Sequence, residues 1–152
     1  MSRYVLFSIA FLLACGGGSG GGSSTTTSNP PLDSRFNGTW HGTTTLTFQG
    51  NPPSSYSSNL VLAASGQSLT AGSICPDGSG SATATGSGTS AHWEGQFTCP
   101  PTPFTNCSSV AFTYTSATFS LNNNGTLTAQ GVGSASGCGL TFPLTTTFTG
   151  TK

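Results

Sequence analysis

The chain has 152 residues, the length of one domain. About a third of the residues are Ser or Thr, 22 are Gly, and the only charged residues are Arg3, Arg35, Lys152, Asp33, Asp77 and Glu94. That balance excludes a basic nucleic-acid surface, a helical bundle and most hydrolytic chemistry, which needs more acids, bases and metal ligands than these plus His41 and His92.

Arg3 precedes an apolar run over residues 4–14, broken only by Ser8. Eleven helical residues span roughly 16 Å, short of a bilayer core of about 30 Å, so the run reads as the apolar part of a signal peptide. It ends in Leu12-Leu13-Ala14-Cys15. These residues resemble the lipobox of bacterial lipoproteins: aliphatic, small or aliphatic, small, then Cys. The resemblance implies cleavage before Cys15, a diacylglyceryl thioether on its sulfur and acylation of the new amine. It also implies a membrane partner held through the lipid. Gly16 stands where an Asp retains such proteins in the inner membrane of Gram-negative cells. The implied address is therefore the outer membrane, on its periplasmic or its surface face.

Residues 16–31, GGGSGGGSSTTTSNPP, hold nothing that can anchor a core and predict a disordered tether. As a Gly/Ser coil, residues 16–33 span about 23 Å root-mean-square. The domain plan is thus a signal peptide over 1–14, lipidated Cys15 and linker over 15–34, and a β-domain over 35–152.

From Phe36 onward apolar residues alternate with Thr, Ser and Gly, the period of strands. Eight strands are predicted. They cover about 39–49 (Trp40, Leu46, Phe48 on one face), 58–64 (Leu60, Leu62), 68–74 (Leu69, Ala71) and 81–85. The rest are 89–98 (Ala91, Trp93, Gly95, Phe97), 108–121, 126–133 and 140–149 (Leu140, Phe142, Leu144, Thr146, Phe148). In the sixth the apolar phase slips between Tyr114 and Phe119, which predicts a bulge near Ser116. Asn122-Asn123-Asn124-Gly125 is a hairpin turn, because Asn and Gly accept positive φ. The links alternate long and short, so every tight turn falls at one end. The expected fold is all-β: an eight-stranded antiparallel up-and-down barrel, whose closure removes the exposed edges of an uncharged sheet. A β-sandwich is the alternative.

Gly38-Thr39-Trp40, preceded by Phe36-Asn37, resembles the start of the first strand in lipocalins and avidins. In lipocalins this Trp plugs the closed end and the long loops surround a mouth. Gly42 replaces the ligand-contacting Asn of avidins, and no Arg follows the late strands to cover Trp40. The resemblance therefore implies the barrel and not a biotin site.

Cys75, Cys99, Cys107 and Cys138 remain after Cys15 takes lipid, an even number that predicts two disulfides in an exported chain. Cys99 with Cys107 across one loop and Cys75 with Cys138 is the expected pairing. The alternative joins Cys75 to Cys99 and Cys107 to Cys138. Their spacing forms no paired zinc knuckle. His41, His92 and Glu94 read as polar residues of an outer face. No catalytic residue, cofactor or metal is expected, and the protein partner stays unassigned. Small inward residues (Ala71, Ala84, Ala91, Gly95) predict interior volume. Trp93, Phe97, Phe112, Tyr114 and Phe142 are the candidate walls of a pocket for a small apolar ligand. The functional expectation is a non-enzymatic envelope lipoprotein that binds such a ligand. The alternative is a structural or interaction lipoprotein whose barrel is filled by its own side chains.

Overall fold

A computed structural model describes residues 28–104 and 107–152. The signal run, Cys15 and the tether up to Thr27 lie outside the described residues. The described chain is all-β apart from one 3₁₀ turn, Ser34–Phe36. Its strands are β1 (Gly38–Phe48), β2 (Ser54–Ser65), β3 (Ser68–Gly72), β4 (Ser81–Ser87), β5 (Ser90–Thr98), β6 (Thr102–Phe104), β7 (Cys107–Leu121), β8 (Leu127–Gly137) and β9 (Leu140–Thr151).

They form one antiparallel sheet in the order β5-β4-β3-β2-β1-β9-β8-β7-β6, and β5 also pairs with β7, which closes the sheet into a ring. Nine strands replace the expected eight because Cys99-Pro100-Pro101 interrupts the rising chain. Proline has no amide hydrogen to give the ladder. β6 then continues along the same partner: Thr98 faces Thr113 and Thr102 faces Val110. The phase slip in β7 is a register shift between Tyr114 and Ser116, as the alternation predicts.

The tight turns after β2, β4 and β7 gather at one end of the ring, again as predicted. The link after β8 does not keep to its expected length, because β8 runs on to Gly137 and leaves only Cys138-Gly139. Leu140, expected inside, stands beside that protruding turn and is 59% exposed. Gly95 is also exposed, at the register shift between Glu94 and Phe97.

Two apolar clusters occupy the ring at different heights. The first, at the tight-turn end, joins Phe36, Trp40, Leu62, Leu69, Phe119, Leu127 and their neighbours. The second joins Leu46, Cys99, Val110, Phe112, Tyr114, Leu144 and their neighbours. The chain before β1 straps the first end. Leu32 N donates to Gly66 O at 2.7 Å and Asp33 N to Gly88 O at 2.8 Å. Asp33 caps the 3₁₀ turn by accepting from Arg35 N, which sends Phe36 inward. Trp40 Nε1 donates to Phe36 O at 2.9 Å. Lys152 Nζ covers the Trp40 ring at 4.9 Å, the place for which the sequence offers no arginine.

The disulfides are Cys75–Cys99 and Cys107–Cys138, with Cα separations of 5.6 and 5.9 Å. The expected Cys99–Cys107 and Cys75–Cys138 pairing is therefore corrected. Cys99 N donates to Phe112 O, so Cys99 lies opposite a residue five positions along β7 from Cys107. That is about 16 Å of strand. β6 occupies the intervening length, and each cysteine turns to the link beside it.

Candidate functional site

The ring is incomplete on one side. Among the described residues, β3 pairs with β2 only as far as Gly72 opposite Val61, and β4 with β5 only as far as Thr85 opposite His92. Residues 54–60 of β2 thus run past the end of β3, and residues 93–98 of β5 are unpaired on the side of β4, which leaves a gap in the ladder. Residues 73–80 bridge it as a strap. Cys75 N donates to Ser79 O and Gly78 N to Cys75 O, both at 2.9 Å, which folds the strap into a turn. Ser79 N and Oγ donate to Asp77 and hold its carboxyl below the usual range. Gly80 has φ +82°, and a Cβ there would lie 2.8 Å from Cys75 Sγ, so only glycine lets the strap close down on its own disulfide.

Beneath the strap, between the two clusters, lies a half-enclosed cavity of about 90 Å³. Leu60, Ile74, Trp93, Phe119 and Phe148 give it an apolar wall. Ala82, Ala117, Ala129 and Gly131 create its space by being small. At Gly131 a Cβ would come 3.2 Å from the Tyr114 ring, a tight contact that the absent side chain avoids.

A set of hydroxyls interrupts this wall. Thr44 Oγ1 and Ser58 Oγ are bonded at 2.6 Å. Tyr114 OH and Thr146 Oγ1 are 3.4 Å apart, long for a hydroxyl pair, whose usual separation is about 2.7–2.8 Å. Burial pushes the Tyr56 phenol up to about 12, with the nearby Tyr114 adding to the rise and a hydrogen bond from Thr44 opposing it. Burial likewise raises Tyr114, against its bond to Thr146. Both phenols are neutral donors at ordinary pH.

Of the five wall residues expected from the sequence, Trp93 and Tyr114 line the cavity. Phe97, Phe112 and Phe142 do not. Phe112 is fully buried within the second cluster, its ring 6.5 Å from that of Phe48, and Phe97 packs against the same cluster. Phe142 is half-buried opposite Ala135. Ala71, Ala84 and Ala91 sit inside the first cluster, where neighbours fill the space they leave. The sequence reading places Thr146 on the inner face but names none of Tyr56, Ser58, Thr44 and Thr146 as a wall residue. Alternation carried back from Leu62 and Leu60 reaches Ser58 and Tyr56, the phase of Trp40 and Leu46 includes Thr44, and that of Leu144 and Phe148 includes Thr146, so the strand period alone turns all four inward.

His92 Nε2 and Glu94 Oε1 are 3.2 Å apart on the exposed outer face of β5. His41 Nδ1 meets Asn59 Oδ1 at 2.7 Å on the outer face of β1. Among the described residues, no three His, Cys, Asp or Glu side chains are grouped to hold a metal ion.

The fold and site together define a ring-closed antiparallel β-domain with an uncharged interior cavity. Comparison with protein-family models, characterised proteins and solved structures finds no match.

Proposed function

We propose that the protein is a non-catalytic lipoprotein of the bacterial outer membrane, anchored through Cys15, whose ring is a small lipocalin-like barrel that holds one small apolar ligand. The observation that carries the binding role is the half-enclosed, mostly apolar cavity between the two clusters. A ring filled by its own side chains would have no such space at its centre. The lipobox carries the anchoring role, and the tether carries the domain clear of the headgroups.

Two measurements test the reading. Saturating the isotope-labelled protein with benzene shifts the methyl resonances of Ala82, Ala117 and Ala129, while Ala129→Leu fills the cavity and removes the response. Unmoved resonances in the parent would favour the filled-barrel contact role instead. For the anchor, Cys15→Ser moves the protein from the detergent phase to the aqueous phase or leaves an uncleaved precursor. Unchanged partitioning with no lipid mass on the N-terminal peptide contradicts lipidation.

A further inference from the structure

The cavity wall specifies more than an apolar ligand. None of the charged side chains among the described residues lines it: Asp33, Arg35 and Lys152 lie at the closed end, Asp77 in the strap turn and Glu94 on the outer face. An ionised ligand would be desolvated there with no opposite charge to meet it. The space is several times the roughly 10–15 Å³ that one water needs, and well below the roughly 300–1,000 Å³ of drug-sized pockets. It suits one ring or a short chain.

The hydroxyls are not equivalent. Thr44 and Ser58 already satisfy each other at 2.6 Å. Tyr114 and Thr146 face each other across 3.4 Å, a poorly made bond between two groups that each donate and accept. An oxygen atom placed beside both gains better bonds than they make together.

We infer that the cavity takes a small uncharged molecule bearing a single hydroxyl or carbonyl oxygen, held by Tyr114 OH and Thr146 Oγ1, with its apolar body against Leu60, Trp93 and Phe148. This rests on the cavity being a ligand site, and it names the chemistry that site selects. Tyr114 and Thr146 set the preference for oxygen, and the uncharged wall rejects ions of the same shape.

The test compares benzene, phenol and benzoate at neutral pH, each titrated into the oxidised protein and followed by its methyl resonances. Phenol binds roughly three- to tenfold more tightly than benzene, the worth of one net hydrogen bond, and benzoate does not bind. Tyr114→Phe and Thr146→Val each bring phenol down toward benzene and leave benzene itself unchanged. Equal affinities for benzene and phenol in the parent overturn the oxygen preference. So does a phenol preference that survives both substitutions. Benzoate binding as well as phenol overturns the neutral-ligand rule. Binding of none of the three instead removes the ligand reading on which the inference stands.

Discussion

Cys75 is bonded to Cys99 at a Cα separation of 5.6 Å, and this bond fixes the strap of residues 73–80 to the end of β5, across the side of the ring where β3 and β4 stop short. The cavity beneath has Cys75 itself in its wall. Access beside the strap is the expected route, because Ser73, Ile74 and Cys75 stand in the cavity wall while Leu46, Phe112 and Leu144 are packed in the second cluster.

The two disulfides should consequently differ in what they control. They enclose separations of 24 and 31 residues, so loop-closure entropy gives each about 3.5 kcal/mol. Cys75→Ala/Cys99→Ala also loses buried sulfur, so its denaturant melt should show the larger loss of stability. It should in addition speed the exchange of bound benzene, measured by NMR line shape, whereas Cys107→Ala/Cys138→Ala leaves exchange unchanged. Ile74→Ala in the oxidised protein loosens the same strap and serves if the first double variant does not fold. Equal exchange in all of them contradicts access at the side. Non-reducing peptide mapping checks the pairing.

Trp40 is the second point where one contact closes the structure. Its indole donates to Phe36 O from inside the first cluster, and Lys152 lies over its face. Trp40→Phe leaves that carbonyl without its donor and should cost about 1–3 kcal/mol. Trp40→Ala should cost about 3–5 kcal/mol, because the plug becomes a void. Lys152→Met should cost only about 1 kcal/mol, because the cation–π contact and the hydrogen bond from Nζ to Arg35 O at 2.6 Å that it removes are both exposed. Urea melts should rank the losses Trp40→Ala, then Trp40→Phe, then Lys152→Met, and a Lys152→Met loss equal to that of Trp40→Ala would contradict this.

These two contacts also mark what the sequence made legible. The strand period reads directly from Trp40, Leu46, Leu60 and Leu62, because a side chain that alternates in a half-buried strand can take only one face. The shift after Tyr114 reads from the change of phase at Phe119. The cysteine pairing does not read this way. It depends on β6, a three-residue strand hidden among Pro100, Pro101 and Pro103, which carries Cys107 away from Cys99. The cavity wall is equally hidden. Large aromatics are conspicuous in sequence, but Phe112 and Phe97 fill space. The cavity arises where Ala82 of β4, Ala117 of β7 and Ala129 and Gly131 of β8 come together, and that coincidence is set by pairing across four strands (β4, β5, β7 and β8) rather than by any local pattern.

Two glycines hold the strand register. A Cβ at Gly42 would lie 2.2 Å from Thr149 O, and one at Gly133 would lie 2.0 Å from Thr113 O. Both collisions are with the backbone of the paired strand, which cannot swing aside as a side chain can. Gly42→Ala should open the β1–β9 ladder and Gly133→Ala the β7–β8 ladder, each costing on the order of 3 kcal/mol or more. Gly125→Ala tests the contrast. Its Cβ meets nothing within 4 Å, and its φ of +81° alone should cost about 1–2 kcal/mol. Melts and amide exchange of the paired strands check both the ranking and the location.

Tyr56 gives the fold a pH limit with a definite sign. Its phenol is neutral when protonated, and burial raises it from 10.0 to about 12 in the folded chain. Between those values the folded state keeps a proton that the unfolded state has released, so stability falls as pH rises. The contribution is complete below pH 10 and is lost as pH passes about 12. Tyr114 is raised by burial as well and adds to the same slope. Urea melts across this range should therefore show falling stability. Tyr56→Phe, which cannot ionise, should flatten the fall while changing the melt at neutral pH only by the loss of the Thr44 contact. Ultraviolet titration gives an independent reading, since phenolate absorbance from Tyr56 should appear about two pH units above that of a free tyrosine. A Tyr56→Phe variant with the full alkaline slope of the parent would place the loss of stability elsewhere.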